Sequence, residues 1–249
     1  MPNGDAYPDI YPDVYQDALG FRDVASIAGD YLALWYRSDT YEGGTAPDVA
    51  AAANKTPGAA GLGDLAQASV PTRPHFQNSA GYAEWDYTPT QYLQSASGSA
   101  ITAANEYLDL IVVGRFDDAG NRILFDFIST SPLQDGLILR IDGGALKAQV
   151  NLSQVVTSAW TPDTALHRFR VRCTSTEVSL WVDEGTPGTG AGDAKQANPR
   201  NTATCGAGYN GFQGCNGKSS EVVLLRNAPA SVAEDISAFF YSQYKNYLP

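Results

Sequence analysis

The sequence predicts an all-β domain, a two-sheet antiparallel β-sandwich with a short helix at its C-terminal end. The first observation is Ala165–Thr186, where apolar and polar residues alternate on both sides of a short polar break, as in two adjacent antiparallel strands. The second is that strand-length apolar runs recur from Tyr31 to Leu225 without a linker-like tract. Because a lone hairpin is marginal in water, these runs are expected to supply partner strands and a second layer.

The hairpin within Ala165–Thr186 has two different sides. Its apolar side is formed by His167, Phe169, Val171 and Cys173, and its cationic side by Arg168, Arg170 and Arg172. The alternation predicts that the apolar side faces the core and that the arginine side is displayed, together with Trp181 of the second strand.

Other strands are predicted in chain order from apolar runs with turn residues between them. They lie at Tyr31–Tyr36, Glu106–Arg115, Arg122–Ile128, Leu137–Ile141, Ala145–Val150 and Ser220–Leu225. The turn sequence DDAGN predicts that the second and third of these runs pair, and Asp142-Gly143-Gly144 predicts a hairpin between the fourth and fifth.

Two polar tracts are predicted to lie on the surface. Arg37–Thr72 is rich in small residues and is interpreted as a long loop with a helical turn at Asp48–Asn54. Glu184–Ser219 contains nine glycines and little aliphatic content, so it is also interpreted as surface.

The two ends of the chain differ from the strand region. Residues 1–25 are interpreted as an extended arm, because a four-residue repeat places Tyr7, Tyr11 and Tyr15 around Pro8 and Pro12, and proline favours extended geometry. Residues 26–249 form the sandwich domain. Its last element is an amphipathic helix at 231–247, which begins at a capping box of Ser231 and Glu234 and packs on the outside of the strands.

Charge and composition limit the partners. The net charge of −11, from 27 acidic and 16 basic residues, opposes binding to nucleic acid, where affinity comes largely from lysine and arginine. We expect no membrane span, since no apolar run is long enough, and no secretory signal in the acidic N-terminal sequence. Three cysteines do not form a disulfide framework. Cys173 is expected to be a buried thiol, and the sequence leaves open whether Cys205 and Cys215 form a bridge.

The order of these features resembles the concanavalin A-like lectin and glucanase jelly roll, particularly its laminin G-like branch. The resemblance rests on LALWYRSD, RPHF, AEWDYTPTQYL, the HRFRVRC and VSLWVDEG hairpin, and EVVLLRNAPASVAEDI, and it covers about residues 30–245. It implies two antiparallel sheets packed face to face with a short terminal helix. The YPDVY arm ahead of such a domain also resembles small structural proteins of tailed-phage virions.

The catalytic residues of the glucanases are not matched. Their strand motif E-x-D-x-x-E supplies two carboxylates for glycoside hydrolysis, whereas Glu84-Trp85-Asp86 is followed by YTPT with no second glutamate. His75 and His167 are the only histidines, and neither has the neighbours of a nucleophile and base arrangement. We therefore expect a protein that is not an enzyme.

No cofactor is expected, and calcium is the alternative. Laminin G-like modules often hold calcium through loop oxygens, and Asp117, Asp118 and Asn121 are the candidate ligands. The same residue types are also those that a turn between strands requires.

The remaining candidates for ligand contact are the aromatic residues Trp181, Tyr209 and Phe212, which would form a sugar platform in a lectin-like protein. The primary hypothesis is a structural or decoration protein of a phage virion, present in many copies and attached to a capsid or other virion protein through the arm. The alternatives are a carbohydrate-binding adhesion module and a degenerate glycoside hydrolase that depends on Glu84 or Asp86.

Overall fold

The computed structural model describes residues 23–42, 48–58, 63–79, 82–96, 100–103, 106–130, 133–150, 154–191 and 198–249. These residues contain two α-helices, α1 (Val24–Ala28) and α2 (Ala230–Tyr244), and seventeen strands. In chain order the strands are β1 (Leu32–Arg37), β2 (Tyr41–Glu42), β3 (Ala51–Ala52), β4 (Leu65–Ala66), β5 (His75–Ser79), β6 (Tyr82–Tyr87), β7 (Leu93–Ser95), β8 (Leu108–Phe116), β9 (Arg122–Thr130), β10 (Leu133–Asp142), β11 (Ala145–Val150), β12 (Gln154–Thr157), β13 (His167–Cys173), β14 (Glu177–Val182), β15 (Gly188–Ala191), β16 (Thr202–Cys205) and β17 (Gly217–Arg226).

The strands form two antiparallel sheets. Sheet I has the order β15-β14-β13-β8-β17-β6-β5, and β1 pairs with β17 on the same side as β6 but farther along the strand. Sheet II has the order β12-β11-β10-β9-β16-β7-β4-β3-β2. The predicted fold class, a two-sheet antiparallel β-sandwich with a C-terminal helix, is confirmed.

A continuous apolar core fills the space between the two sheets. Both sheets contribute large buried side chains to it, for example Trp85 and Phe169 from sheet I and Phe125 from sheet II. The predicted hairpin is confirmed as β13 and β14, with Phe169 opposite Val182. Its apolar side, including Cys173, faces the core as expected.

The predicted pairing of the two strands around DDAGN is wrong. β8 pairs with β13 and β17 in sheet I, whereas β9 pairs with β10 and β16 in sheet II. The connection at residues 117–121 therefore crosses between sheets. The Asp118 carboxylate accepts hydrogen bonds from Arg122 and Asn216, and these bonds hold an arch instead of a tight turn. The other predicted turn is confirmed, since β10 and β11 pair from Asp142 and Ala145.

The predicted loop at Arg37–Thr72 contains three short strands. β2, β3 and β4 pair in succession and join sheet II at β7. The helical turn predicted at Asp48–Asn54 is wrong, because Ala51 and Ala52 form β3. Val49, Ala52 and Leu65 are buried in the core, so a few apolar residues in a polar tract are enough to fix these strands.

The glycine-rich tract Glu184–Ser219 is not confined to the surface as predicted. It supplies β16, which lies within sheet II between β9 and β7. Ala203 and Cys205 of this strand are buried in the core. Small apolar side chains and β-favouring threonines suit an interior strand, although they give a weak apolar signal in the sequence.

Helix α2 packs on the outer face of sheet I, as predicted for the C-terminal helix. Ile236 and Phe240 are buried in a second apolar cluster with Val223 of β17. The helix spans Ala230–Tyr244 and has Pro229 as its N-cap, so the capping box predicted at Ser231 is not formed. The fixed φ of proline is already suited to starting a helix there.

The arginine side of β13 is covered by α2 and is not displayed as predicted. Arg168 donates a hydrogen bond to the Ser237 carbonyl at 2.7 Å, and Arg172 donates one to the Ala228 carbonyl at 3.1 Å. Asp109 of β8 lies within 3.1 Å of Arg172. The arginines therefore fasten the helix segment to the sheet.

Both sides of the sandwich are closed by contacts between the two sheets. On one side β15 lies against β12, and a Cβ atom at Gly188 would be 2.3 Å from the Thr157 carbonyl oxygen, so this approach requires glycine. On the other side Asp48 bridges to His75, and the Val49 N–H donates to the Pro74 carbonyl at 2.9 Å.

The described chain starts on the sheet I side. Asp23 caps α1 by accepting a hydrogen bond from the Ser26 N–H, and the buried Val24 packs in the same cluster as α2. The arm residues Tyr7, Pro8, Tyr11, Pro12 and Tyr15 lie outside the described residues. None of the helices described has both the length and the apolar character that crossing a membrane requires.

Candidate binding face on sheet II

The outer face of sheet II carries a row of side chains that crosses five strands. The register places Gln149 opposite Ile138, Ile138 opposite Asp126, Asp126 opposite Thr204, and Thr204 opposite Gln94. Side chains at paired positions share a face. The apolar residues that flank them along the strands point into the core. We call these five residues the recessed face.

Part of the recessed face is buried although it lies on the outer side of the sheet. Asp126 is 4% exposed and Thr204 is 1% exposed, while Gln94 and Ile138 are half-buried. The two helices that the structure describes pack on sheet I, so neither of them causes this burial. A small number of polar groups held in fixed positions is a usual component of a ligand site.

The loop Gly206–Cys215, which we call the rim loop, borders the recessed face. The Tyr209 N–H donates a hydrogen bond to Asp126 Oδ2 at 2.8 Å, and the Asn210 N–H donates one to Gln94 Oε1 at 2.9 Å. These bonds hold the loop over the strands. Phe212, two residues after Asn210, is 65% exposed. The rim loop therefore carries an exposed aromatic ring, and its backbone is bonded to the side chains of Asp126 and Gln94.

The backbone of the rim loop adopts conformations that most residues avoid. Asn210 and Gln213 have φ values of 56° and 48°, in the left-handed region. Non-glycine residues in such conformations cost of order 1–3 kcal/mol and tend to cluster at ligand sites. Gly206 has a φ of 84°, and a Cβ atom there would lie 2.2 Å from the Tyr87 ring. The Tyr87 ring of sheet I therefore leaves no room for a side chain at the start of the rim loop.

Asp126 is the most perturbed group of the recessed face. Burial raises its pKa to about 7, although hydrogen bonds from the backbone N–H groups of Tyr209 and Phe127 favour the charged form. Its Oδ1 atom is buried and accepts no hydrogen bond from the residues that the structure describes. Near neutral pH this carboxyl group is therefore only partly ionised, and the face carries less negative charge than the sequence implies.

The structure separates the three aromatic residues predicted to form a sugar platform. Tyr209 and Phe212 lie together on the rim loop of sheet II. Trp181 lies on the outer face of sheet I, the side on which α2 packs, and its ring is stacked 4.8 Å from the Arg170 guanidinium. Trp181 therefore packs against Arg170 on sheet I and is not part of the recessed face. The other two predicted residues, Tyr209 and Phe212, lie on the rim loop beside that face.

The carboxylates of Glu84-Trp85-Asp86 do not form a catalytic pair. Glu84 is fully buried and lies 2.9 Å from the Lys218 ammonium nitrogen. Asp86 accepts a hydrogen bond from Gln77 at 2.5 Å, and Gln77 in turn accepts one from Lys218 at 2.6 Å. A charge network of this kind occupies both carboxylates within sheet I.

The two histidines lie apart and each contacts carboxylates. His75 Nε2 is 3.3 Å from Asp48 at the closed side of the sandwich. His167 is buried between Asp183, 2.6 Å from Nδ1, and Asp163, 2.8 Å from Nε2. Burial lowers the pKa of His167, but the two hydrogen bonds outweigh it and raise the pKa above its ordinary value. These contacts fasten the chain ahead of β13.

The candidate calcium ligands are occupied by protein donors. Asp117 pairs with Arg115 at 3.0 Å, and Asp118 binds Arg122 and Asn216. The Asn121 side-chain oxygen accepts the Gly143 N–H at 3.1 Å. In the part of the chain that the structure describes, no cluster of three metal-ligating side chains is found.

The three cysteines are buried free thiols, which answers the question left open by the sequence. Burial raises the pKa of Cys173 to about 12 and that of Cys205 and Cys215 farther still. These thiols are therefore poor nucleophiles, and they serve as small core residues.

Most residues of the recessed face could not be selected from the sequence. Gln94, Ile138, Gln149 and Thr204 carry no motif, and their proximity follows from strand pairing. Asp126 has the one usable signal, a carboxylate in the middle of the apolar run RILFDFI. A buried carboxylate with a strongly shifted pKa is a recognised indicator of a functional position.

Comparison with known proteins gives structural matches only. No protein-family profile matches the chain, and no match is found among curated proteins. Among solved structures, the chain is similar to the receptor-binding domain of botulinum neurotoxin D, with a TM-score of 0.60 and 10% identity over 88% of this chain and 54% of that one. The botulinum neurotoxin serotype D binding domain matches with a TM-score of 0.59 and 8% identity, over 89% of this chain and 53% of that one.

A sialidase shares the same architecture. The Trypanosoma rangeli sialidase, solved in complex with sialic acid, matches with a TM-score of 0.53 and 14% identity over 85% of this chain and 33% of that one. The likeness is one of fold. At these identities it shows a β-sandwich fold, in agreement with the fold that the jelly-roll resemblance implies. The chain spans about half the length of the toxin domains that it matches.

Proposed function

We propose that this chain is a carbohydrate-binding β-sandwich without enzymatic activity, and that it binds its ligand at the recessed face. The observation that carries the proposal is the rim loop, which leaves the Phe212 ring exposed. The backbone of this loop is in the left-handed region at Asn210 and Gln213. An aromatic ring packs on the apolar face of a sugar, and amide side chains such as Gln94 hydrogen-bond its hydroxyl groups.

Two further points support a binding role. Glu84 and Asp86, the carboxylates that a hydrolase would need, are engaged by Lys218 and Gln77. The structural neighbours include a toxin domain described as receptor-binding and a sialidase in complex with sialic acid, and those descriptions apply to those proteins. A shared architecture does not by itself give a function, so the rim loop carries the proposal.

Replacing Phe212 with alanine is expected to weaken oligosaccharide binding about tenfold, or ~1.4 kcal/mol, because the exposed ring supplies apolar contact area. The measurement is a glycan array followed by calorimetric titration with the best ligand. Tyr31→Ala is the matched control, since Tyr31 is an exposed aromatic residue next to β1 of sheet I. Equal binding by the Phe212 variant and the unmodified protein would contradict the site.

We also propose that the chain acts as a structural or decoration component of a phage particle, attached through the tyrosine-proline arm. The sequence repeat from Tyr7 to Tyr15 supports this role. The position of α1 also supports this role, because α1 packs on the outer side of sheet I. An arm that attached the protein from that side would leave the recessed face of sheet II directed away from the particle. Many copies on one particle would strengthen weak sugar contacts through multivalency.

Deletion of residues 1–22 is expected to leave thermal unfolding nearly unchanged and to abolish co-sedimentation with phage particles, because the deletion ends before the Asp23 cap of α1. A second variant with Tyr7, Tyr11 and Tyr15 changed to serine keeps the length of the arm and tests the rings themselves. Retention of the truncated protein at the level of the full chain would remove the arm from the mechanism.

A further inference from the structure

A pair of like charges borders the recessed face. Arg140 of β10 and Lys147 of β11 are register partners, and both side chains point to the outer side of sheet II. Ile138 and Gln149 of the recessed face form the next pair on the same side, two residues along each strand. Since a strand rises about 3.4 Å per residue, the two pairs are roughly 7 Å apart.

The charge of this pair is only partly compensated. Like charges directly opposite each other on neighbouring strands are destabilising. Asp142 lies between them, 3.1 Å from the Arg140 guanidinium and 3.0 Å from the Lys147 ammonium group, so two cations share one carboxylate. The Lys147 hydrogen bond and the Arg140 charge lower the pKa of Asp142, which keeps that carboxylate ionised.

The remaining charge is available to a ligand. The side chains of Arg140 and Lys147 are 20% and 24% exposed, so part of each side chain reaches the outer surface of sheet II. In a chain with a net charge of −11, an excess of positive charge beside a recess is unlike the average surface. Two cationic side chains that share one carboxylate beside a candidate site can bind an anionic group of a ligand.

We propose that Arg140 and Lys147 form an anion subsite of the recessed face and bind the carboxylate or sulfate group of an acidic oligosaccharide. This inference rests on the proposed carbohydrate binding and specifies its ligand class. Guanidinium and ammonium groups form charge-assisted hydrogen bonds with such anions. Ile138, Gln149 and the rim loop then contact the uncharged part of the same ligand.

The subsite is tested by calorimetric titration with a uronic-acid oligosaccharide, its carboxyl-reduced neutral form, a sulfated neutral oligosaccharide and a glutamate peptide. Arg140→Gln and Lys147→Gln are each expected to weaken binding of the acidic oligosaccharides about tenfold and to leave the neutral one unchanged. Asp142→Asn is expected to strengthen acidic binding, because it removes the competing carboxylate. Arg115→Gln, at an ion-paired arginine of sheet I, is the matched control and should have no effect.

The outcomes separate this inference from the function on which it rests. Binding of the neutral and acidic oligosaccharides with equal affinity, unchanged in the glutamine variants, would overturn the anion subsite and leave carbohydrate binding intact. Binding of no oligosaccharide would overturn both. A glutamate peptide that binds as tightly as the acidic sugar would show a peptide site instead. The Asp142→Asn variant also controls for misfolding. If Asp142 had only a structural role, its replacement would not strengthen binding of the acidic oligosaccharides.

Discussion

Replacing Glu84 with alanine is expected to lower the free energy of unfolding by about 3–5 kcal/mol. Glu84 is fully buried on β6, and the Lys218 side chain that pairs with it is only 10% exposed. The substitution leaves the ammonium group in a poorly solvated site with the Gln77 oxygen and the more distant Asp86 as its remaining partners. Chemical denaturation followed by tryptophan fluorescence measures the change.

The control for this prediction is Asp86→Ala on the same strand and the same side. Asp86 lies 3.7 Å from Lys218 and its side chain is 26% exposed, so its loss is expected to cost less than about 1 kcal/mol. The pair of variants also tests the hydrolase alternative. If the protein cleaved a polysaccharide, and Glu84→Ala removed that activity while stability stayed unchanged, a catalytic role for Glu84 would replace the structural one.

Replacing Gly206 with alanine is expected to destabilise the protein by about 2–5 kcal/mol and to abolish ligand binding at the recessed face. The left-handed backbone alone costs roughly 1–2 kcal/mol with a side chain, and overpacking adds about 1–3 kcal/mol. The overpacking arises because the new Cβ atom would lie 2.2 Å from the buried Tyr87 ring. To relieve the contact, the start of the rim loop must shift.

Gly58→Ala is a matched control because Gly58 has a φ of 77°, close to the 84° of Gly206. A Cβ atom at Gly58 would have no atom of the described residues within 4 Å. It should show the backbone cost alone, about 1–2 kcal/mol, and retain full ligand binding. Equilibrium unfolding and glycan titration on both variants check the prediction. Equal destabilisation by the two substitutions would mean that the Tyr87 contact does not hold the loop.

The sequence predicts the elements correctly where apolar and polar residues alternate strictly. It does not predict the strands that are formed by small residues. The hairpin of β13 and β14 and the helix α2 follow from periodicities of 2 and 3.6 residues. β16 was missed because Ala203 and Cys205 are too small to mark a strand. The exchange of sheets between β8 and β9 was missed because a turn sequence does not reveal whether the chain folds back or crosses over.

The candidate site was less predictable than the fold. Phe212 and Tyr209 could be selected as aromatic residues in a glycine-rich tract, but Trp181 could not be excluded without knowing that Arg170 and α2 share its side of sheet I. The recessed face joins residues as distant as Gln94 and Thr204, and only the strand register brings them together. Arg140 and Lys147 likewise acquire their significance from being opposite each other.

The closed sides of the sandwich affect how copies of the protein can meet. Strands at the margin of a sheet normally invite another chain to extend it, and aggregation often begins there. In this molecule β15 and β12 shield each other, β5 is bridged by Asp48, and β2 is two residues long. The outer edge of β1 is hydrogen-bonded at Trp35 by Asn54 and Lys55. Crowded copies of this domain would therefore meet through side chains, which opposes the fusion of neighbouring sheets into fibrils.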